Sequence, residues 1–193
     1  MRRKSKYTLN ENAFEKLDDT ASYWLGVLMA DGSVDYQRGI SRLRLGLKDT
    51  KLVEEFRDFL GSNQPIKDRG DVRILEVTSH HLVKSLEQYG IVPNKTKTAK
   101  AHPDLVRRAS FWRGVIDGDG CTYVRKGYPH IVLVGSENLM DQFLAFVKDQ
   151  VDTRATVRPD GSIFRVSLGG SRYSTLVEIL KGTPCLSRKW EGI

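Results

Sequence analysis

The chain has 193 residues, 39% of them hydrophobic, and carries 31 lysines and arginines against 24 aspartates and glutamates, a net charge of +7. That apolar content suffices for one compact domain or two small halves around a shared core, which excludes a disordered chain as the starting point, and the basic excess favours a polyanionic partner. The basic start Met1-Arg2-Arg3-Lys4-Ser5-Lys6 runs into polar residues, no long apolar stretch follows, and Cys121 and Cys185 show no paired-ligand spacing; secretion, membrane spans, a disulfide framework and a zinc site are therefore not expected.

In chain order, the sequence predicts Thr20 as the cap of an apolar helix over Ala21–Ala30, which Asp31-Gly32 ends. Ser33–Arg38 and Ile40–Lys48 suggest a hairpin turning at Gly39. The second strand alternates, with Leu43, Leu45 and Leu47 on one face and Arg42, Arg44 and Lys48 on the other, so one face is core and the other basic. A helix over Thr50–Leu60 carries Leu52, Val53, Phe56 and Phe59 at helical spacing, followed by strands over Gln64–Arg69 and Val72–Thr78 and a helix over Ser79–Tyr89. Ile91–Arg108, with Pro93 and Pro103, reads as a linker. The same order then recurs: a helix from Ser110, strands over Cys121–Lys126, Ile131–Gly135, Thr153–Arg158 and Ile163–Leu168, and helices over Glu137–Asp149 and Ser171–Leu180. This divides the chain into a basic arm (1–19), a first half (20–90), a linker (91–108) and a second half (109–193).

A shift of 88 residues lays one half over the other. Trp24, Gly26, Val27, Asp31, Gly32 and Gly39 fall on Trp112, Gly114, Val115, Asp119, Gly120 and Gly127. In each repeated helix a small residue recurs four positions on, Gly26 with Ala30 and Gly114 with Gly118, giving a face almost without side chains on which two helices can pack backbone to backbone. Paired along those faces, the helices bring Asp31 and Asp119 side by side, where two carboxylates repel unless cations lie between them. Hard oxygen donors select Mg2+, with Mn2+ able to substitute, and suit phosphodiester hydrolysis. Taken singly, Asp-Gly is a helix-ending turn dipeptide; the matched Trp and Gly context weighs against that reading.

Tyr23-Trp24-Leu25-Gly26-Val27-Leu28-Met29-Ala30-Asp31-Gly32 and Phe111-Trp112-Arg113-Gly114-Val115-Ile116-Asp117-Gly118-Asp119-Gly120 resemble the signature of the LAGLIDADG homing endonucleases, and Tyr89–Lys97 resembles the stretch that precedes their second motif. The resemblance implies an α+β monomer of two pseudo-symmetric αββαββα halves, with the motif helices as central interface and saddle-shaped antiparallel sheets in the DNA major groove. It also implies a staggered double-strand cut at a long target. Asp31 and Asp119 would bind the metals, helped by the main-chain carbonyls of Ala30 and Gly118. Lys48 would orient water in the first half; its match at this shift is Ser136, and Lys95, Lys97, Arg188 and Lys189, which follow Pro93 and Pro184 in comparable segments, are alternative basic contributors.

The polar strand faces give a DNA-contact set of Arg42, Arg44, Lys48, Lys67 and Arg69 with Arg125, Lys126, Arg154, Arg158 and Arg165, because arginine reads guanine edges or holds phosphates. Val132 and Val134 stand where Arg42 and Arg44 do, so the target should not be a true palindrome. Asp117–Gly120 is not a calcium loop, lacking later acidic ligands at the right spacing; His80-His81 lacks a metal partner nearby; Tyr23-Trp24 and Phe111-Trp112 sit where core packing is the better reading. The alternatives to a site-specific double-strand DNA endonuclease are an RNA-binding intron maturase and a catalytically inactive DNA-binding regulator on the same scaffold. A cytoplasmic setting, bacterial or phage-encoded, or an organellar one fits each.

Overall fold

The computed structural model describes residues 6–46 and 49–193. Its elements run α1 (Asp19–Asp31), β1 (Gly32–Asp35), β2 (Ile40–Gly46), α2 (Thr50–Phe59), β3 (Lys67–Arg69), β4 (Val72–Thr78), α3 (His80–Gln88), α4 (Ala109–Asp119), β5 (Gly120–Arg125), β6 (Tyr128–Gly135), α5 (Glu137–Gln150), β7 (Arg158–Asp160), β8 (Ile163–Gly169), α6 (Ser174–Leu180) and α7 (Ser187–Trp190), with single 3-10 turns at Lys95–Lys97 and Ser171–Tyr173. Two four-stranded antiparallel sheets result, ordered β1-β2-β4-β3 and β5-β6-β8-β7. Among the described residues no helix is long and apolar enough to cross a membrane.

The centre is the α1–α4 pair, and glycine is what lets it form. A Cβ added to Gly26 would lie 2.9 Å from the backbone nitrogen of Val115, and one added to Gly114 would lie 2.9 Å from that of Val27, so the two main chains are already in contact. Around the pair, each tryptophan packs into its own half. Trp24 meets Phe56 and Phe59 at 5.0 and 6.0 Å between ring centroids, and Trp112 meets Phe143 and Phe146 at 5.2 and 6.1 Å. Both indoles are 1% exposed or less, which settles the aromatic pairs as core.

Several boundaries differ from the sequence expectation. The cap of α1 is Asp18, whose Oδ1 accepts from Ala21 N at 2.9 Å, so the helix starts at Asp19 and Thr20 lies inside its first turn. The strand expected over Thr153–Arg158 is only β7, starting at Arg158; Thr153 instead turns back on itself through a hydrogen bond from Ala155 N to its Oγ1. α7 was not anticipated, being one turn long without readable periodicity. The linker is packed: Ile91, Lys95, Ala99, Ala101 and Leu105 are buried. Within 1–19, Arg2–Ser5 lie outside the described residues, whereas Thr8 exchanges hydrogen bonds with Asn63 and Phe14 packs edge-on to Phe59.

The repeat does not keep one offset. It is 88 from Gly32 to Gly120, whose strand partners are Leu43 and Leu133, an offset of 90, because the second hairpin turns tightly at Lys126-Gly127 after a longer ladder. At the next helix caps, Asp49 and Ser136, it is 87. Ser136 therefore corresponds in place to Asp49 rather than to Lys48, and it is a helix cap: its Oγ accepts from Leu139 N at 3.2 Å and donates to the Ala99 carbonyl.

Candidate active site

The carboxyl ends of α1 and α4 meet. A Cβ on Gly118 would lie 2.9 Å from Asp31 Oδ2 and would collide with the Ala30 Cβ, which puts Asp31, Ala30 and Gly118 in one small space. Burial, and then the neighbouring Asp119 carboxylate, push the Asp31 carboxyl up to about 6, and burial also raises Asp119. Two carboxylates at helix C-termini face carbonyl ends as well as each other, an arrangement that favours positive charge.

The chain itself supplies two cations here. Lys95, from the linker, is 7% exposed and its Nζ donates to the Gly32 carbonyl. Lys189, from α7, is 8% exposed and its Nζ donates to the carbonyls of Ile116 (2.8 Å), Asp117 (2.6 Å), Gly118 (3.3 Å) and Gly120 (2.7 Å). Each thus caps the end of one central helix, and the two lysines occupy corresponding places against Gly32 and Gly120. Desolvation lowers both ammonium groups, while Asp31 and Asp119 oppose that shift for Lys95, and Asp117 and Asp31 do so for Lys189.

Two cavities flank the carboxylates. One, of about 600 Å³, is lined by Asp31, Asp49, Gly118, Cys121, Arg188 and Lys189 among others. The other, of about 230 Å³, is lined by Asp119, Lys95, Ser136, Val134, Leu139 and Ile163 among others. The larger is the more polar: Arg188 holds Asp49 through both guanidinium arms, at 2.7 and 2.9 Å, tying α7 to the start of α2 across the halves. Among the described residues no group of three or more His, Cys, Asp or Glu side chains forms a metal-ligand set. The donors at hand are two carboxylates and main-chain carbonyls, a hard-oxygen set that fits a divalent ion keeping some of its own waters.

Of the expected contact residues, Arg42, Lys67 and Arg69 share the sheet face opposite the buried Leu43, Leu75 and Val77, and Arg44 pairs in the ladder with Ile74. Lys48 lies outside the described residues. Arg42 is not free: Glu76 holds it at 2.5 Å and lies 3.7 Å from Lys67. In the second sheet Arg125, Arg158 and Arg165 share the outer face with Tyr123, Val132 and Val134, and Arg165 pairs with Asp160 at 3.6 Å. Lys126 forms the hairpin tip with φ +54°, Arg154 lies in the loop before β7, and Lys97 is exposed. Of the four alternative basic residues, the site gathers Lys95 and Lys189 at the carboxylates and Arg188 beside Asp49, and leaves Lys97 outside.

Sequence reasoning missed Asp117 as a structural group. It is 3% exposed; its Oδ2 accepts from Tyr23 Oη (2.8 Å) and Leu186 N (2.6 Å), and its Oδ1 from Trp190 Nε1 (2.7 Å), while burial raises its carboxyl. The available signal was an acid beside Val115 and Ile116 at an internal position of a largely apolar helix, a pattern that costs stability unless its oxygens are bonded.

No family model matches the chain, and no curated protein matches it. Solved structures do. One is the LAGLIDADG meganuclease I-AabMI bound to uncleaved DNA, at 11% identity and TM-score 0.63, over 90% of this chain and 87% of that one. Others are the LAGLIDADG homing endonuclease I-GzeII in complex with its DNA target, at 10% identity and TM-score 0.59 over 86% and 84%, and I-LtrWI bound to target DNA, at 13% and 0.57 over 92% and 86%. With its glycine-paired central helices and two β-sheets in matching order, the chain has the LAGLIDADG homing-endonuclease fold.

Proposed function

We propose that the protein is a divalent-metal-dependent endonuclease that cuts both strands of duplex DNA at a long, non-palindromic site. The observation that carries this reading is the convergence of Asp31 and Asp119 at the ends of paired helices, each in a cavity with a buried lysine. A maturase or an inactive regulator on the same scaffold has no need of both carboxylates or of two desolvated lysines. The DNA-bound state of the similar structures supports the choice of substrate.

Asp31 and Asp119, with the carbonyls of Ala30 and Gly118, would hold Mg2+ or Mn2+; such ions supply activation of water and stabilisation of charge on the phosphate and the leaving oxygen. The chain's own part is positional and electrostatic. Lys95 and Lys189 hold positive charge at fixed points beside the carboxylates, within reach of a phosphate brought to the helix ends. Water's oxygen forms a new bond to phosphorus as one phosphoester bond breaks; the leaving oxygen takes up a proton and the attacking water gives one to solvent.

The two outer sheet faces would lie along the bases. Arg42, Lys67 and Glu76 in the first half can pair with donor and acceptor edges, whereas Val132 and Val134 in the second suit thymine methyl groups. The test is incubation of the protein with Mg2+ and a randomised duplex library. Cleavage confined to one long motif supports the reading. Tight DNA or RNA binding without any cleavage, in Mg2+ and in Mn2+, supports the binding-protein alternatives.

A further inference from the structure

We infer that Asp117 is a positioning residue for Lys189, and that it serves only one of the two strand cuts. The inference rests on the endonuclease reading for its strand-cutting consequence, and on hydrogen-bond geometry alone for the positioning itself.

Lys189 lies in the chain between Leu186 and Trp190, and Asp117 holds both flanks: one oxygen takes the Leu186 N–H at 2.6 Å, the other the Trp190 indole N–H at 2.7 Å. Tyr23, from the opposite central helix, donates to the same carboxylate at 2.8 Å and so fixes its rotamer. The Thr122 hydroxyl bonds the Lys189 carbonyl. One turn before Asp117 on α4, Arg113 donates to the carbonyls of Pro184 (2.9 Å) and Leu180 (3.0 Å), so the segment entering α7 is held by its main chain. With its backbone fixed in this way, the Lys189 amine reaches the four carbonyls at the end of α4.

The first half does the corresponding job differently. At the offset of 88, Asp117 corresponds to Met29, Arg113 to Leu25 and Tyr23 to Phe111. Met29 and Leu25 are buried at 3% and 0%, so an apolar side chain is enough to pack that face of the helix pair. The Lys95 segment is tied instead by Ser136 to the Ala99 carbonyl and by a two-way bond between Gln142 and Ala101, at 2.8 and 3.0 Å. A buried carboxylate costs more than methionine unless its bonds are needed, and every bond Asp117 makes is to the α7 segment or to the tyrosine that orients it. Lys189 shares its cavity with Asp31 and Lys95 shares its own with Asp119, so disturbing Asp117 disturbs one cavity and spares the other.

The experiment uses the full chain with Asp117→Asn and Asp117→Met, the latter restoring the first half's apolar side chain. On supercoiled plasmid carrying the selected target, nicked circles should accumulate: one strand's cut slows tenfold or more, the other stays within about twofold, and DNA affinity is retained. End-labelling should show that the slowed strand is the one slowed by Lys189→Met and not the one slowed by Lys95→Met. Equal slowing of both strands, or slowing of the Lys95 strand, would overturn the inference. A second readout needs no cleavage. Brief acetylation followed by mass spectrometry should label Lys189 at least tenfold faster in Asp117→Met than in the parent, with Lys95 unchanged. If Lys189 labels alike in both, Asp117 does not position it. If it labels faster but the parent protein cuts no DNA, the positioning stands and the endonuclease reading falls.

Discussion

Alanine at Gly26 or Gly114 tests the backbone contact on which the site depends. The new Cβ would lie 2.9 Å from Val115 N or Val27 N, and closer still to the carbonyl oxygen of Phe111 or Tyr23, whereas ordinary contact begins near 3.4 Å. Backbone atoms cannot rotate aside, and the carbonyl contact would be only 2.1 Å, so α1 and α4 must separate by about an ångström or more. Overpacking costs roughly 1–3 kcal/mol, and the absence of any flexible neighbour puts this case near 3. Alanine's better helix propensity offsets up to ~1 kcal/mol, leaving a net loss of about 2 kcal/mol. For a chain of this size that lowers Tm by roughly 4–8 °C in calorimetry. The same separation moves Asp31 away from Asp119, so cleavage should slow by about tenfold or more in a single-turnover assay at saturating Mg2+. Gly118→Ala presses on side chains, Ala30 Cβ and Asp31 Oδ2, and should cost activity more than stability. A Gly114→Ala protein melting within roughly 1 °C of the parent would refute the packing argument.

Three further outcomes follow from the same geometry. Asp31 has its carboxyl raised to about 6, so its contribution to folding is present below the ordinary carboxylate range and is lost as pH rises through about 6; added Mg2+ should raise Tm more at pH 8 than at pH 5, and an equal rise at both would contradict the carboxylate-bound ion. Arg188→Ala leaves Asp49, 8% exposed, without its two-armed partner and unties α7 from α2; with the Arg188 side chain 42% exposed, the loss should be only about 1 kcal/mol, read as a Tm fall of roughly 3 °C. Replacing thymidine by deoxyuridine through one half-site at a time should weaken binding about fourfold per contacted methyl on the Val132–Val134 side and little on the Arg42 side, by gel-shift titration; equal losses would disprove that division of labour.

Much of this was legible because the repeat carries it. Trp24 and Trp112, Gly26 and Gly114, and Asp31 and Asp119 stand at one offset, and glycine at those places has a single good explanation, close helix approach. The fixed offset then misled beyond the hairpins. Two extra residues in the second hairpin, and more residues between β2 and the α2 cap than between β6 and the α5 cap, pair Ser136 with Lys48 in sequence but with Asp49 in space. Lys95 and Lys189 were visible as basic residues after prolines, yet a lysine reads as surface until its carbonyl partners are known. Asp117 and α7 were hidden for the same reason: their bonds join positions about 70 residues apart, and no local pattern announces them.

The most direct test of the two-carboxylate site is cleavage and binding by Asp31→Asn and Asp119→Asn on the selected DNA target with Mg2+. The account predicts that either variant binds with affinity close to the parent's and makes no double-strand break. Double-strand cutting at the parental rate by either one would contradict it.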